Sequence, residues 1–262
     1  MNEPTLASLD WLKRMSADDH SLVTMICFPP AGGGMTGFWP WIAPLRGRAN
    51  LYAASLPGRE QRLREEPARA LDALAAPLAE AVAAFADRPL LIFGHSFGAL
   101  LAYEIVQRLL AERRAAPERL RFLASGRVPP HLPSRAERVS HLPPRDVVFR
   151  VAKLHGNIPV ALLEQPDYVE MIGRALQADL FINETYDWTE RPPLSCPLTV
   201  VGGDGDPLVS AAELDAWEQH AGGGFERRLV AGDHFYFRPA AGQRALMEIV
   251  TACCETLAAT TQ

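Results

Sequence analysis

The stretch Leu90 to Ile105, LLIFGHSFGALLAYEI, constrains this chain more than any other. An apolar run stops at Gly94, His95, Ser96, Phe97 and Gly98, and a helix-patterned apolar run starts at once. A buried strand must therefore turn sharply into a buried helix. Flanking glycines let strand and helix approach without Cβ clashes. The serine between them is forced onto a tight, strained turn that points its hydroxyl away from the backbone. This is the G-x-S-x-G nucleophile-elbow pattern in its required strand–turn–helix context. The helix start behind it offers free N–H groups and a positive dipole end beside the serine.

The flanking sequence repeats the same rhythm. SLVTMICF (21–28), ANLYAASL (49–56), PLLIFG (89–94), LRFLASG (120–126), PLTVVGG (197–203) and FERRLVAG (225–232) read as strands. ALDALAAPLAEAVAAF, ALLAYEIVQRLLAERRA, SAAELDAWEQHA and QRALMEIVTACCETLAA read as helices between and after them. Alternation of this kind implies an α/β domain with a mostly parallel sheet and crossover helices on both faces. Residues 1–262 are expected to form one such domain.

The rhythm breaks over residues 127–193, which hold no convincing strand. PRDVVFRVAKLHG places Val147, Val148, Val151 and Leu154 on one helical face, with Gly156 as a stop. DYVEMIGRALQADLF places Val169, Ile172, Leu176 and Leu180 on another. The expected role of this insertion is a helical lid over a site at the strand ends, too short to need its own core. Phe149, Met171 and Phe181 are candidates to line an acyl channel beneath it.

A nucleophilic serine needs a base, and the base needs an orienting acid. The order along such a chain is serine, acid, histidine, each at the end of a later strand. His95 adjoins the serine, His20 precedes the first core strand, His131, His141 and His155 lie in the insertion, and His220 ends a helix. His234, in VAGDHFYF after the last strand, stands where the base belongs. VVGGDGDPLV offers Asp204 and Asp206; Asp206, further round the loop, is the candidate acid, and Asp204 a turn-shaping acceptor of backbone N–H groups. Asp233 is expected to face away. The oxyanion hole would take the Phe97 N–H and a second donor from the loop FPPAGGG, where Pro29 and Pro30 have none and Ala31 is the first with one.

Composition narrows the partners. A formal net charge of −5 argues against nucleic acid as the main partner. The one candidate basic patch lies around Arg59, Arg62 and Arg64. Cys27, Cys196, Cys253 and Cys254 match no zinc spacing and read as reduced structural thiols. No metal or cofactor site is expected. The start, MNEPTLASLDWLKRM, is unlike a signal peptide, and no apolar run reaches membrane-spanning length, so a cytoplasmic protein without membrane contact is expected. Oligomeric state is unreadable, with monomer the default.

FPPAGGG (28–34), SLPGREQR (55–62), GHSFG (94–98) and GDHFYF (232–237), in this order and spacing, resemble the stand-alone type II thioesterases of polyketide synthase and nonribosomal peptide synthetase systems. The likeness runs over about residues 20–255, PGREQR being its most specific piece. Pro30 departs from it, since family members often carry histidine there. The resemblance implies an α/β-hydrolase fold with a helical lid, and hydrolysis of acyl groups from the phosphopantetheine thiol of acyl or peptidyl carrier proteins, an editing role. It implies no cofactor, since that arm belongs to the carrier protein. Carried over, the triad is Ser96, Asp206 and His234, and the oxyanion donors are Ala31 and Phe97. Carrier proteins are usually acidic, so Arg59 or Arg62 could steer docking. A chain-releasing thioesterase and a small-ester carboxylesterase of the same fold remain open as alternatives. A catalytically dead binding protein is disfavoured by the complete Ser-Asp-His set. A chain-releasing enzyme would be expected to sit behind a carrier domain, for which residues 1–20 are too short.

Overall fold

The computed structural model describes residues 10–16, 21–155, 158 and 160–260; His20 and Gly156, invoked above, lie outside the described residues. Seven strands form one sheet in the order β1-β3-β2-β4-β5-β6-β7. They are β1 (Leu12–Arg14), β2 (Val23–Phe28), β3 (Ala49–Ala54), β4 (Leu90–His95), β5 (Leu120–Ser125), β6 (Leu198–Gly203) and β7 (Phe225–Val230). Among the described residues only the β1–β3 pair is antiparallel. All other neighbours run parallel. The six strands read from the sequence are all present. β1 was not among them.

β2, β3, β4 and β6 are buried along their whole length. That is what a parallel sheet covered on both faces requires, and it explains their unbroken apolar sequence. The edge strand β7 differs: Arg227, Arg228 and Leu229 face solvent, and charge on an edge discourages pairing with another chain.

The helices are α1 (Leu71–Ala83), α2 (Phe97–Ala111), α3 (Pro144–His155), α4 (Val160–Leu163), α5 (Pro166–Thr185), α6 (Ala211–Asp215) and α7 (Ala240–Thr260). One core packs α1, α2, Leu214 and Trp217 onto one face of the sheet. A second packs α7 with Met35, Phe38 and Trp41 onto the other. α6 is shorter than its sequence pattern implied and continues as a 3-10 turn, Ala216–His220. Ser210 and Glu213 form a reciprocal capping box at its start.

The insertion is helical, as its pattern implied, but it has a small core of its own. Val139, Val147, Val148, Val169 and Leu176 are buried together, and Ala31 packs against this cluster as well as the main core. The α5 face read from the sequence holds, with Val169 and Leu176 buried and Ile172 and Leu180 partly so. Leu154, expected on the buried face of α3, is 50% exposed, because it sits in the last turn, past the end of that core. Gly173 permits the tight crossing: a Cβ there would lie 2.6 Å from the Pro144 carbonyl oxygen.

Candidate active site

The turn after β4 is built as its sequence demands. Ser96 has φ 54 and ψ −115, in the left-handed half of the map. Its N–H donates to the Ser125 carbonyl at 2.8 Å, tying the turn to β5. A Cβ on Gly94 would lie 2.2 Å from the Gly98 carbonyl oxygen, and one on Gly98 would lie 2.1 Å from that of Phe28. Neither distance is tolerable, so both glycines of the pentapeptide are required by close backbone approach.

His234 and Asp206 meet as the chain order implied. His234 Nδ1 lies 2.8 Å from Asp206 Oδ2, and both side chains are buried, at 5% and 0% exposure. Asp206 Oδ1 also accepts the Leu208 N–H at 2.8 Å, which fixes the carboxylate plane. Nδ1 faces the carboxylate, so it carries the proton and Nε2 is left with a free lone pair. Asp204 accepts the Gly232 N–H at 3.0 Å and so shapes the turn, as expected. Asp233 is spent on the Phe235 N–H at 2.8 Å. A Cβ on Gly203 would lie 2.2 Å from the Asp233 carbonyl oxygen, so the β6 and β7 loops are in direct contact.

His234 stands beside the elbow: its ring centroid is 4.9 Å from that of His95, the residue before Ser96. His95 is fully buried, and its Nδ1 contacts Ser125 Oγ at 2.9 Å, which contacts the Tyr236 hydroxyl at 2.7 Å. Burial, with the nearby His234 charge second, holds the His95 pKa well below the usual histidine range. His95 is therefore a neutral wall of the site. His155, at the end of α3, lies 5.7 Å from the His234 ring and 5.8 Å from Phe235. Its pKa is lowered too, by burial first and His234 second. His155 was set aside in the sequence as a member of the insertion, and only the fold brings it here.

The two candidate oxyanion donors are available. Phe97 opens α2, where no preceding turn accepts its N–H, and neither it nor the Ala31 N–H is spent on another described residue. Ser96 Oγ and His234 Nε2 are not hydrogen-bonded to each other; catalytic bonds of this kind often tighten only in the substrate complex.

The basic patch does not exist as expected. Arg59 is buried and its guanidinium grips Asp179 of α5, with Nη1–Oδ2 at 2.5 Å and Nη2–Oδ1 at 2.9 Å. Arg62 pairs with Glu65, donates to the Ser55 carbonyl and covers the Trp11 ring at 4.1 Å. Only Arg64 faces solvent freely. Arg59 and Arg62 are thus structural within the chain and are withdrawn as steering charges. Of the channel candidates, Phe149 is exposed with Arg145 over its ring, Met171 is half-buried, and Phe181 carries Arg69 at 4.8 Å.

All four cysteines are free and buried, and burial pushes the Cys196 thiol up to about 12. Among the described residues no group of three or more His, Cys, Asp or Glu could hold a metal ion, and no helix is long and apolar enough to cross a membrane.

A strained serine at the turn after β4, with a carboxylate after β6 and a histidine after β7, on a mostly parallel sheet, defines an α/β hydrolase. The family model described as a thioesterase domain matches residues 23–254, and the chain belongs to that family. The type II thioesterase BorB, from the borrelidin biosynthetic cluster, superposes with a TM-score of 0.84 at 30% identity, covering 97% of this chain and 100% of that one. YbtT, the type II thioesterase of the yersiniabactin pathway, does so with 0.81 at 27% identity, covering 96% and 100%. A relative from Brevibacillus parabrevis, named linear gramicidin dehydrogenase LgrE, is 31% identical over 249 residues, 94% of this chain and 93% of that one.

Gly32, Gly34 and Gly37 have the spacing of a dinucleotide-binding loop after a strand. Here, however, the segment enters a 3-10 turn, and the Glu60 carboxylate already accepts the Met35 and Thr36 N–H groups, each at 2.9 Å. A Cβ on Gly34 would lie 2.3 Å from that carboxylate. The Glu60 carboxylate thus already takes up the backbone N–H groups at the start of that turn.

Proposed function

We propose that this protein hydrolyses acyl groups from the phosphopantetheine thiol of acyl or peptidyl carrier proteins, as an editing enzyme of a polyketide or nonribosomal peptide system, with Ser96 as nucleophile, His234 as base and Asp206 as its orienting acid. The observation that carries the reading is the buried 2.8 Å contact between His234 and Asp206, set beside a serine held at positive φ.

Ser96 Oγ attacks the thioester carbonyl carbon and passes its proton to His234 Nε2. Asp206 stabilises the imidazolium and keeps the Nδ1 proton in place. The carbonyl oxygen becomes an oxyanion facing the Phe97 and Ala31 N–H groups, one such donor being worth about 3 kcal/mol in a typical site. The C–S bond then breaks, the His234 proton goes to the sulfur, and an acyl-Ser96 ester remains. Water, deprotonated by His234, attacks that ester through a second oxyanion and releases the acid. A thiol has a pKa of about 8.5, so it leaves far more readily than an amine, and the acid step makes modest demands on His234. In this reading residues 127–193 act as a lid, since α5 presses Leu176 onto the Gly32 loop and α3 brings His155 to the base. A lid with a narrow entrance admits a thin pantetheine arm while the carrier protein stays outside. No protein-bound cofactor takes part. In this reading the protein works in the cytoplasm, with its synthase as partner and as a monomer.

The test compares an acyl-phosphopantetheinyl carrier protein, the matching acyl-CoA and a p-nitrophenyl ester, with wild type and Ser96→Ala. The carrier-bound substrate is expected to be cleaved best, and the variant to be inactive on all three. A wide preference for the free ester would overturn the carrier-protein assignment while leaving the triad in place.

A further inference from the structure

Arg59 and Asp179 take no part in the chemistry above, yet both are buried, at 8% and 1% side-chain exposure. Their bidentate ion pair joins the loop after β3 to α5, across 120 positions of sequence. Each partner also holds the loop that follows β2. Asp179 Oδ2 accepts the Gly32 N–H at 2.8 Å, and Arg59 Nη1 donates to the Gly33 carbonyl at 3.1 Å. Gly32 is in the left-handed region at φ 69, and a Cβ there would lie 3.0 Å from Leu176 of α5. Ala31, the preceding residue, packs against both the main core and the cluster of the insertion.

A buried ion pair is a poor source of stability, because desolvating both charges offsets most of their attraction; apolar pairs of similar volume often do as well. What apolar residues cannot do is hold peptide groups. The Gly32 N–H and Gly33 carbonyl are each fixed by a charged side chain, and such bonds are stronger and more directional than neutral ones. The Gly33 N–H in turn donates to the Pro30 carbonyl at 2.9 Å, on the peptide that carries the Ala31 N–H, so holding Gly32 and Gly33 holds the direction of that N–H. An oxyanion donor must lie within about 2.7–3.1 Å of the developing charge, so its aim decides its worth.

We propose that Arg59 and Asp179 are positioning residues for the oxyanion hole: their ion pair aims the Ala31 N–H and does so only while α5 is seated, so that docking of the insertion completes the site. The proposal rests on the reading of Ala31 as an oxyanion donor.

The test uses the full chain, an acyl-N-acetylcysteamine thioester, and the matching trifluoromethyl ketone, which forms a tetrahedral oxyanion on the nucleophile. The double variant Arg59→Met/Asp179→Leu removes both charges together and keeps the site filled. A melting temperature near that of wild type is expected, with kcat lower by about 10- to 100-fold, KM within about threefold, and ketone affinity lower by the same factor as kcat/KM. Wild-type kcat and ketone affinity in a folded double variant would overturn the proposal. Should that variant not fold, Asp179→Asn keeps the shape and an acceptor while removing the charge. About a tenfold loss in kcat with a parallel loss of ketone affinity is then expected, and unchanged values for both would overturn it. Ser96→Ala run alongside separates the two levels. If Ser96→Ala stays active, the reading of the site fails; if it is dead while the double variant is not, only this inference fails.

Discussion

At the residue scale the central feature is strain at the residue proposed as nucleophile. Ser96 sits at φ 54 and ψ −115, which costs a non-glycine residue about 1–3 kcal/mol. Ser96→Gly would relieve that strain and Ser96→Ala would not. Both should be inactive, but the glycine variant is expected to unfold at a higher temperature than the alanine variant, by about 1 kcal/mol of stability. Equal melting temperatures would mean the turn is unstrained. The carboxylate partner makes an equally definite claim. Asp206→Asn keeps the shape but removes the charge that holds the Nδ1 proton of His234. A fall in kcat of about 10³–10⁴-fold is expected, with little change in KM. A loss below tenfold would assign the orienting role elsewhere.

At the element scale, the strand–turn–helix unit was legible because its glycines and apolar runs are local. The backbone gaps confirm why: there is no room for a Cβ at Gly94 or Gly98. Gly98→Ala would push α2 off the Phe28 carbonyl and is expected to cost more than about 3 kcal/mol, read as a lost or sharply lowered unfolding transition; near-wild-type melting would contradict the packing described. Elements whose reason to exist is remote were not legible. β1 is three residues, Leu-Lys-Arg, with no alternation of its own, and it forms because β3 leaves an edge to pair with. The ion pair of Arg59 and Asp179 is likewise a long-range event. Its one sequence trace is an acidic residue, Asp179, among apolar neighbours on the buried face of α5 in QADLF. PGREQR reads as a solvated basic loop until α5 covers it. Glu60, the next residue, is turned inward onto the Met35 and Thr36 N–H groups.

At the scale of the whole molecule the fold carries two separate buried histidine sites, and together they set its response to acid. His95 lines the proposed active site, its ring 4.9 Å from that of His234. His220 lies far along the chain, 2.7 Å from His131 Nδ1 and near the Tyr103 hydroxyl, and burial, then the His131 and Arg191 charges, lowers its pKa to about 4. A histidine whose folded pKa is below its unfolded value of about 6.5 contributes stability above 6.5, and that contribution is lost as pH falls toward the folded value. Melting temperature is therefore expected to drop between about pH 6.5 and pH 4, and His220→Gln, which keeps a hydrogen-bonding side chain, should flatten the drop. An unchanged slope in the variant would show that His220 takes no part. The six parallel strands and the crossover helices followed from sequence, since they depend on periodicity. The seating of the insertion did not, because its contacts join residues that share no local pattern.

The most direct measurement is intact-mass and peptide mapping after treatment with a fluorophosphonate, for wild type, His234→Ala and Asp206→Asn. The account predicts one adduct per chain, on Ser96 alone, with labelling slowed at least about 100-fold in His234→Ala and less in Asp206→Asn. An adduct on another residue, or no adduct on a folded protein that still hydrolyses thioesters, would contradict it.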